Sequence, residues 1–439
     1  MSGVELPVIS LPVREQAYSC HGCGNCCRDF TVQLREQDIA KLQQQNWERT
    51  LGEPVTVSFR GVTYLRQREN GACIFLMDNG LCRIHAAFGF EAKPIACQVF
   101  PFHLTPASAG RGAIMGINYA CQSVLENKGA SLRSHVNELR RMSSQLPELN
   151  VKAPLPLLTD RLRMSQRELE VLTSRIDRWL RDDDHALSVR LDGLAWVVSS
   201  LAKARLEQVR EERFAELIDL LFSVLPQELD HHPIEPATKR QRRLLRQAVF
   251  ARTEDPKINL IEKHGRLRTT LAQLWRSRRF KSGKGVAPRI GEGWPEHVLL
   301  DSAERIDAAK ERDGGGGGDG AAVSLTVHAI DDLITRYLRA SILGGRCWGP
   351  GYYGWPIIGG LQALVLNVAC TGWLARLHAA GRNNTAIDIV DVRAALGRID
   401  RTAGRAKWLG SAAERLRLSY LTMNDGLRRL LSDYALLDS

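Results

Sequence analysis

Through the middle of the chain, apolar residues recur at helical spacing. Leu162, Leu169, Leu172, Ile176 and Leu180 stand three, four or seven positions apart, as do Leu191, Leu194, Val197 and Leu201, and then Phe214, Leu217 and Leu221. Such spacing gives each helix one apolar face to bury. Asp182-Asp183-Asp184 and Asp230-His231-His232-Pro233 interrupt the pattern and predict breaks between helices. The last third predicts helices over 323–343, 357–377, 387–399 and 412–431. The first 125 residues read differently. Residues 31–34 alternate like a short strand, and a helix begins near Glu36 with Ile39 and Leu42 on one face. Residues 55–59 and 62–65 predict the two arms of a hairpin around Arg60-Gly61.

These elements predict a mainly α protein, α+β overall: a small mixed α/β cysteine-cluster domain followed by an irregular multi-helix domain. At 439 residues and 49.0 kDa the chain is too long for one ordinary core. The expected division is 1–125, a cysteine-cluster metal-binding domain; 126–300, a helical, arginine-rich region; 301–320, a linker with the glycine run Gly314 to Gly318; and 321–439, a C-terminal helical region. No charged residue occurs from Cys347 to Ala375. The properly apolar part, 357–374, barely reaches spanning length, and glycines, prolines and polar Gln362, Asn367 and Thr371 interrupt the stretch. It reads as a buried core helix and not as a membrane span. Residues 1–18 lack a basic patch followed by an apolar run, so no secretory leader is expected and a cytoplasmic setting is.

Composition sharpens this picture in two places. Ten cysteines occur, and eight lie between Cys20 and Cys121. In a reducing compartment such a cluster reads as metal-binding or catalytic and not as a disulfide framework. Net charge is +11, with 60 basic against 49 acidic side chains. Residues 239–289 alone hold sixteen basic and three acidic side chains, a balance of +13, with Phe250, Trp275 and Phe280 interleaved. That segment is expected either to be a solvated helix face or to meet an acidic protein, an anionic membrane surface, another anion or nucleic acid.

The chemistry-bearing motif is Cys20-His-Gly-Cys23-Gly-Asn-Cys26-Cys27. Cys20, Cys23 and Cys26 have the C-x2-C-x2-C spacing of iron–sulfur sites and, in part, of zinc knuckles. Three thiolates must approach one centre while the backbone turns around them, and Gly22 and Gly24 permit positive φ at that turn. Adjacent side chains tend to point apart, so Cys26 and Cys27 are not expected to grip one tetrahedral ion together. Cys73, Cys82, Cys97 and Cys121 follow, with a turn expected at Asp78-Asn79-Gly80 and with His21, His85 and His103 as possible substitutes. Eight thiols suit one cluster with spare cysteines, or two four-thiolate sites holding a 4Fe–4S cluster or zinc. Cys347 and Cys370 read as ordinary core cysteines.

These residues resemble the bacterial CxxCxxCC cysteine-cluster family of zinc- or iron-chelating proteins, to which flagellin lysine-N-methylases belong. Cys73-x-Phe-Leu, Gly80-x-Cys82-x-Ile-His85, Lys93-Pro94-x-x-Cys97 and Phe100-Pro101-Phe102 follow in the family's order. His85 and Lys93-Pro94 stand where many members show Tyr and Arg-Pro. The C-terminal half resembles the longer, methylase-like members more loosely, through Tyr337-Leu338-Arg339 and the glycine- and aromatic-rich loop after it. The resemblance implies a metal or 4Fe–4S site at Cys20, Cys23, Cys26, Cys27, Cys73, Cys82, Cys97 and Cys121. It also implies methyl transfer from S-adenosylmethionine to a protein lysine.

The residues themselves offer no standard nucleotide fold for that activity. Outside the glycine run, the only GxGxxG is Gly349-Pro-Gly351-Tyr-Tyr-Gly354; it follows a helix and no βαβ unit surrounds it. As a loop it carries Trp348, Tyr352, Tyr353 and Trp355, candidate cofactor-binding aromatics that could face a sulfonium cation or simply pack between helices. Walker, HExxH and GxSxG motifs are absent, which leaves those chemistries without support. Two expectations stand: a lysine methyltransferase-like enzyme, or a non-catalytic metal-binding or redox-sensing protein whose basic segment recruits an anionic partner.

Overall fold

A computed structural model describes residues 8–10, 13–28, 30–108, 112–150, 153–231, 234–254, 265–310 and 320–438. The glycine run 314–318 and the pair His232-Pro233 lie outside these. Helix accounts for 58% and strand for 10%, so the protein is mainly α with some β.

Most of the periodic segments fold as their spacing dictates. Gln166–Leu180 starts at a capping box in which Glu168 N donates to Ser165 Oγ (3.2 Å) and Ser165 N to a Glu168 carboxylate oxygen (2.8 Å). The aspartate run ends it, and Leu187–Lys203 follows. Glu212–His231 stops at the predicted break. The basic segment forms two helices, Lys239–Thr253 and Arg266–Ser282, which pack on each other. The last third holds Gly320–Leu343, Ile357–Gly381 and Ile389–Thr402.

The helix expected over 412–431 is instead two, Ala412–Thr422 and Gly426–Asp433. Asn424 and Asp425 between them take φ of 50° and 54°, left-handed values that these short polar side chains tolerate and that end a right-handed helix. Residues 31–34 are extended but form no ladder strand; Gln33 makes one bridge to Tyr64, beside the hairpin Thr56–Phe59/Val62–Leu65. The local pattern did not reveal a three-stranded sheet. In it Gly112–Ile117 lies between Val8–Ser10, parallel to it, and Phe102–Pro106, antiparallel, with Phe102 opposite Ile117.

Two apolar cores result. The larger is built around Ile357–Gly381, whose residues are buried on every side. This helix is long and apolar enough to cross a membrane, yet 94% of its most apolar window lies inside the protein. It packs against Ile389–Thr402, Leu187–Lys203 and Gly426–Asp433. The same core takes in Val13, Phe102, Met115, Ile117 and Tyr119, so the sheet and the helical body share one interior across residue 125. Buried polar groups stitch them together. Tyr119 N donates to Asp400 (2.6 Å), Asp400 pairs with Arg346 (3.1 Å), and Gln16 Oε1 accepts from Tyr119 Oη (2.8 Å) and Arg336 (2.7 Å). The smaller core gathers Leu34, Leu42, Trp47, Val55, Leu65, Ile74, Phe75 and Ile84, with Cys73, Cys82 and Cys97 packed at its edge.

Candidate metal centre

Four short pieces of chain bring the cysteines together. Cys20 and Cys23 lie on a loop, and Cys26 and Cys27 on the single 3-10 turn Asn25–Cys27, entered through Gly24 at φ 73°. A second turn packs on the first. At Gly80, φ is 81°, and a β-carbon there would sit 2.7 Å from Gly22 O, so only glycine lets the two backbones meet. Cys73 N donates to Cys27 O (2.6 Å), tying the start of that second piece to the motif. Cys82 and Cys121 stand at the starts of the helices Arg83–Phe88 and Gln122–Leu125, and Cys97 lies on Ile95–Val99.

All eight cysteines line one cavity of about 1210 Å³. Cys20, Cys23 and Cys26 are exposed to it, and the other five are half-buried. The expectation that Cys26 and Cys27 diverge is corrected: their sulfurs are 3.9 Å apart. A 3-10 turn sets neighbouring side chains about 120° apart, where an extended chain would place them on opposite faces. Two thiolates on one tetrahedral ion with bonds of ~2.3 Å are separated by about 3.8 Å, so this pair fits a shared centre. Among the described residues no three His, Cys, Asp or Glu side chains yet converge as a closed coordination sphere. The sulfurs are gathered in one chamber without being clasped at one point.

Electrostatics separate them. Cys26 is lowered to about 7, first by the hydrogen bond from Cys27 and further by Lys93 and Arg401, while Cys27 keeps the shared proton and is raised. Withdrawal from bulk water raises Cys73 and Cys121 to about 12 and also raises Cys97. For Cys121 the backbone N–H groups of Val124 and Ser123 offset part of that rise. A donor set of soft thiols with basic groups beside it suits zinc or iron, whose charge would stabilise every thiolate at once.

Of the substitute ligands, His21 and His85 line the cavity, and His85 meets the edge of Phe90. His103 does not line it. It lies on Phe102–Pro106, where burial and then Arg346 lower it to about 4. The aromatic loop packs between helices, one of its two expected arrangements. Tyr352, Tyr353 and Trp355 come together, with Tyr352 4.7 Å from Tyr353 and 5.5 Å from Trp355. None lines the cavity: Trp348, Tyr352 and Trp355 are buried in the larger core, and Tyr353 Oη donates to Thr402 O (3.2 Å). Their faces are used by one another and, at Trp355, by Arg415 at 5.2 Å.

The cavity has walls that sequence reasoning missed. Phe30 is flanked by the guanidinium groups of Arg401 (4.5 Å) and Arg405 (4.4 Å). Arg401 also donates to Arg28 O (2.6 Å). Residues 405–408, and Arg266, Thr269, Thr270 and Gln273, complete the far side. Lys93 had a local signal, since Lys93-Pro94-x-x-Cys97 puts it one helical turn before a cysteine; the distant walls had none.

The basic segment is less free than its charge sum implies. Arg252 is fully buried against Glu414 (2.7 Å) and Asn367 (2.6 Å). Arg242 pairs with Asp433 (2.7 Å), Arg246 with Glu304 (3.3 Å) and Arg276 with Glu254 (3.2 Å).

Comparison with known proteins points the same way as the cavity. Residues 19–122 match the CxxCxxCC family, described as "Putative zinc- or iron-chelating domain". The chain is similar to an uncharacterized protein of Methanocaldococcus jannaschii, 31% identical over 131 residues, which is 29% of this chain and 44% of that relative. It therefore spans less than half the length of the curated relative it matches. No solved structure matches the chain. Over residues 19–122 the chain is thus similar to a cysteine-cluster domain of the zinc- or iron-chelating class.

Proposed function

We propose that this domain holds a 4Fe–4S cluster in preference to zinc, and that the chain transfers a methyl group from S-adenosylmethionine to a protein lysine beside it. The observation that carries the metal reading is the single chamber lined by all eight cysteines. One tetrahedral zinc uses four thiolates, whereas a cluster with alternative ligands, or two sites, can use the whole set. Cys20, Cys23, Cys26 and Cys27 would be the first ligands, with Cys73, Cys82, Cys97 and Cys121 completing one or two sites. When bound, such a cluster supplies positive charge at the thiolates and a coordination position for a ligand.

The cavity is larger than the ~300–1,000 Å³ usual for small-molecule sites, which leaves room for a cofactor and an extended lysine side chain beside the thiols. Methyl transfer needs a neutral amine in line with the sulfonium methyl. The amine nitrogen takes the methyl carbon, the carbon–sulfur pair returns to sulfur, and the ammonium proton passes to water. The chain's part is positioning and desolvation, for which Phe30, Phe90, Phe100 and Trp408 provide apolar wall. The reading requires a reducing, cytoplasmic setting in which the thiols stay available.

The second reading is a non-catalytic metal-binding or redox-sensing protein. The closed aromatic loop at 348–355 favours it, because the candidate cofactor aromatics are consumed in packing. Anaerobic purification with iron, sulfide and zinc analysis tests the metal. Iron with sulfide and an absorption band near about 400 nm supports the cluster, and colourless protein with zinc alone overturns it. Calorimetric titration with S-adenosylmethionine then separates the enzyme from the sensor: metal-loaded protein that binds none is not a methyltransferase.

A further inference from the structure

Helix Arg266–Ser282 turns Thr269, Gln273, Arg276 and Phe280 inward. Phe280 is buried between Phe250 (5.5 Å) and Trp373 (6.0 Å). On the opposite side stand Leu267 (74% exposed), Leu271 (57%), Leu274 (55%) and Trp275 (56%). At 3.6 residues per turn these four fall within about 100° of the helix circumference. Of the twelve large hydrophobic side chains exposed among the described residues, four are on this one stripe, so it is not ordinary scatter.

The stripe is set in positive charge. The helix has no acidic residue, and exposed Arg268, Arg278 and Lys281 border or interrupt the stripe. Arg279 stacks over Trp275 at 3.9 Å. The helix packed against it, Lys239–Thr253, adds exposed Lys239, Arg240 and Arg243.

We infer that this helix docks the protein on an anionic membrane surface. The stripe is a convex ridge facing away from the protein body, which suits a flat partner. Leucine and tryptophan would enter the boundary between headgroups and acyl chains while arginine and lysine stay at the phosphates. Nucleic acid would use the charge and leave the leucines in water. The inward side of the same helix, through Thr269 and Gln273, walls the cysteine cavity, so docking would set the cavity rim close to the membrane. The inference does not depend on which metal or reaction the cavity serves.

Flotation of the full chain with vesicles tests it, using phosphatidylcholine alone and phosphatidylcholine mixed with phosphatidylglycerol. The wild-type protein is expected to float with the anionic vesicles only, and less as salt rises. Leu271→Glu/Leu274→Glu should weaken the association about tenfold or more, and Arg268→Gln/Arg278→Gln severalfold. All four side chains are exposed, and circular dichroism checks the fold; Trp275→Ala is a milder variant of the same face. No association with anionic vesicles overturns the inference. So does undiminished association of the leucine variant, which would reduce the patch to charge alone. Equally tight, leucine-dependent binding to an acidic polypeptide would overturn it in favour of a protein groove.

Discussion

The sulfur of Cys26 lies 3.9 Å from that of Cys27, and both line the same cavity. Two adjacent residues can therefore serve one centre, because the 3-10 turn Asn25–Cys27 does not send their side chains to opposite faces as an extended chain would. Cys26→Ser and Cys27→Ser are each expected to lose at least about half of the bound zinc or iron, measured by elemental analysis of anaerobically purified protein. Cys347→Ser and Cys370→Ser, buried in the larger core, should keep it. Full metal content in Cys27→Ser would remove Cys27 from the ligand set.

Metal affinity should rise with pH. Cys73 and Cys121 are raised to about 12, so near neutrality both carry protons that a metal must displace. Cys26, at about 7, is already half ionised there. Each displaced proton makes the apparent affinity about tenfold weaker for every unit of pH lost. Competition against a chelator between pH 8 and pH 6 is expected to show release on acidification, and a pH-independent affinity would contradict the ligand assignment.

Gly80→Ala should disable the site while leaving the larger core folded. The added carbon would meet Gly22 O at 2.7 Å, and φ is 81°, so the two cysteine-bearing turns must separate. Gly61→Ala is the control: φ is 74°, but nothing lies within 4 Å of the new carbon, so only the local cost of about 1 kcal/mol remains. Metal content and thermal melting of the two variants, measured together, distinguish a steric effect at the site from loss of stability.

Arg252→Met is expected to cost about 2–3 kcal/mol in denaturant unfolding, because Glu414 would stay buried with one of its two guanidinium partners gone and only Arg417 left to pair with it. Replacing both residues by apolar ones should recover much of that loss. Arg243→Gln, on the exposed face of the same helix, should stay within about 0.5 kcal/mol of wild type.

His103 gives a pH dependence of its own. Burial first, and then Arg346, hold it at about 4, below the ordinary value of 6.5. The unfolded chain binds that proton at higher pH, so the stability it contributes is present above about 6.5 and is lost as pH falls towards 4. His103→Gln should flatten the melting temperature across that window. A melting profile unchanged by the substitution would show that His103 titrates alike in both states.

The parts legible in the sequence were those fixed by neighbours along the chain. The hairpin around Arg60-Gly61, the helix breaks at Asp182–Asp184 and near His231, and the left-handed turn at Gly24 all arise within a few residues. The break at Asn424-Asp425 escaped because the apolar spacing continues across it. The three-stranded sheet escaped because its central strand, Gly112–Ile117, takes one partner, Val8–Ser10, from about a hundred residues away, although its other partner, Phe102–Pro106, is a near neighbour.

By itself the sequence determined the chemistry available: eight thiols, two turns able to bring them close, helices with apolar faces and one basic segment. Only the tertiary structure decided which of these meet. It closed the aromatic loop into the core, since apolar ring area is more favourable there than in water. It neutralised Arg252 against Glu414, because a charge cannot be buried alone. It built the cavity's far wall from residues 405–408 and from helix Arg266–Ser282, which lie hundreds of positions from the CxxCxxCC motif. Contacts at that separation are set by how whole elements pack, and no local spacing encodes them.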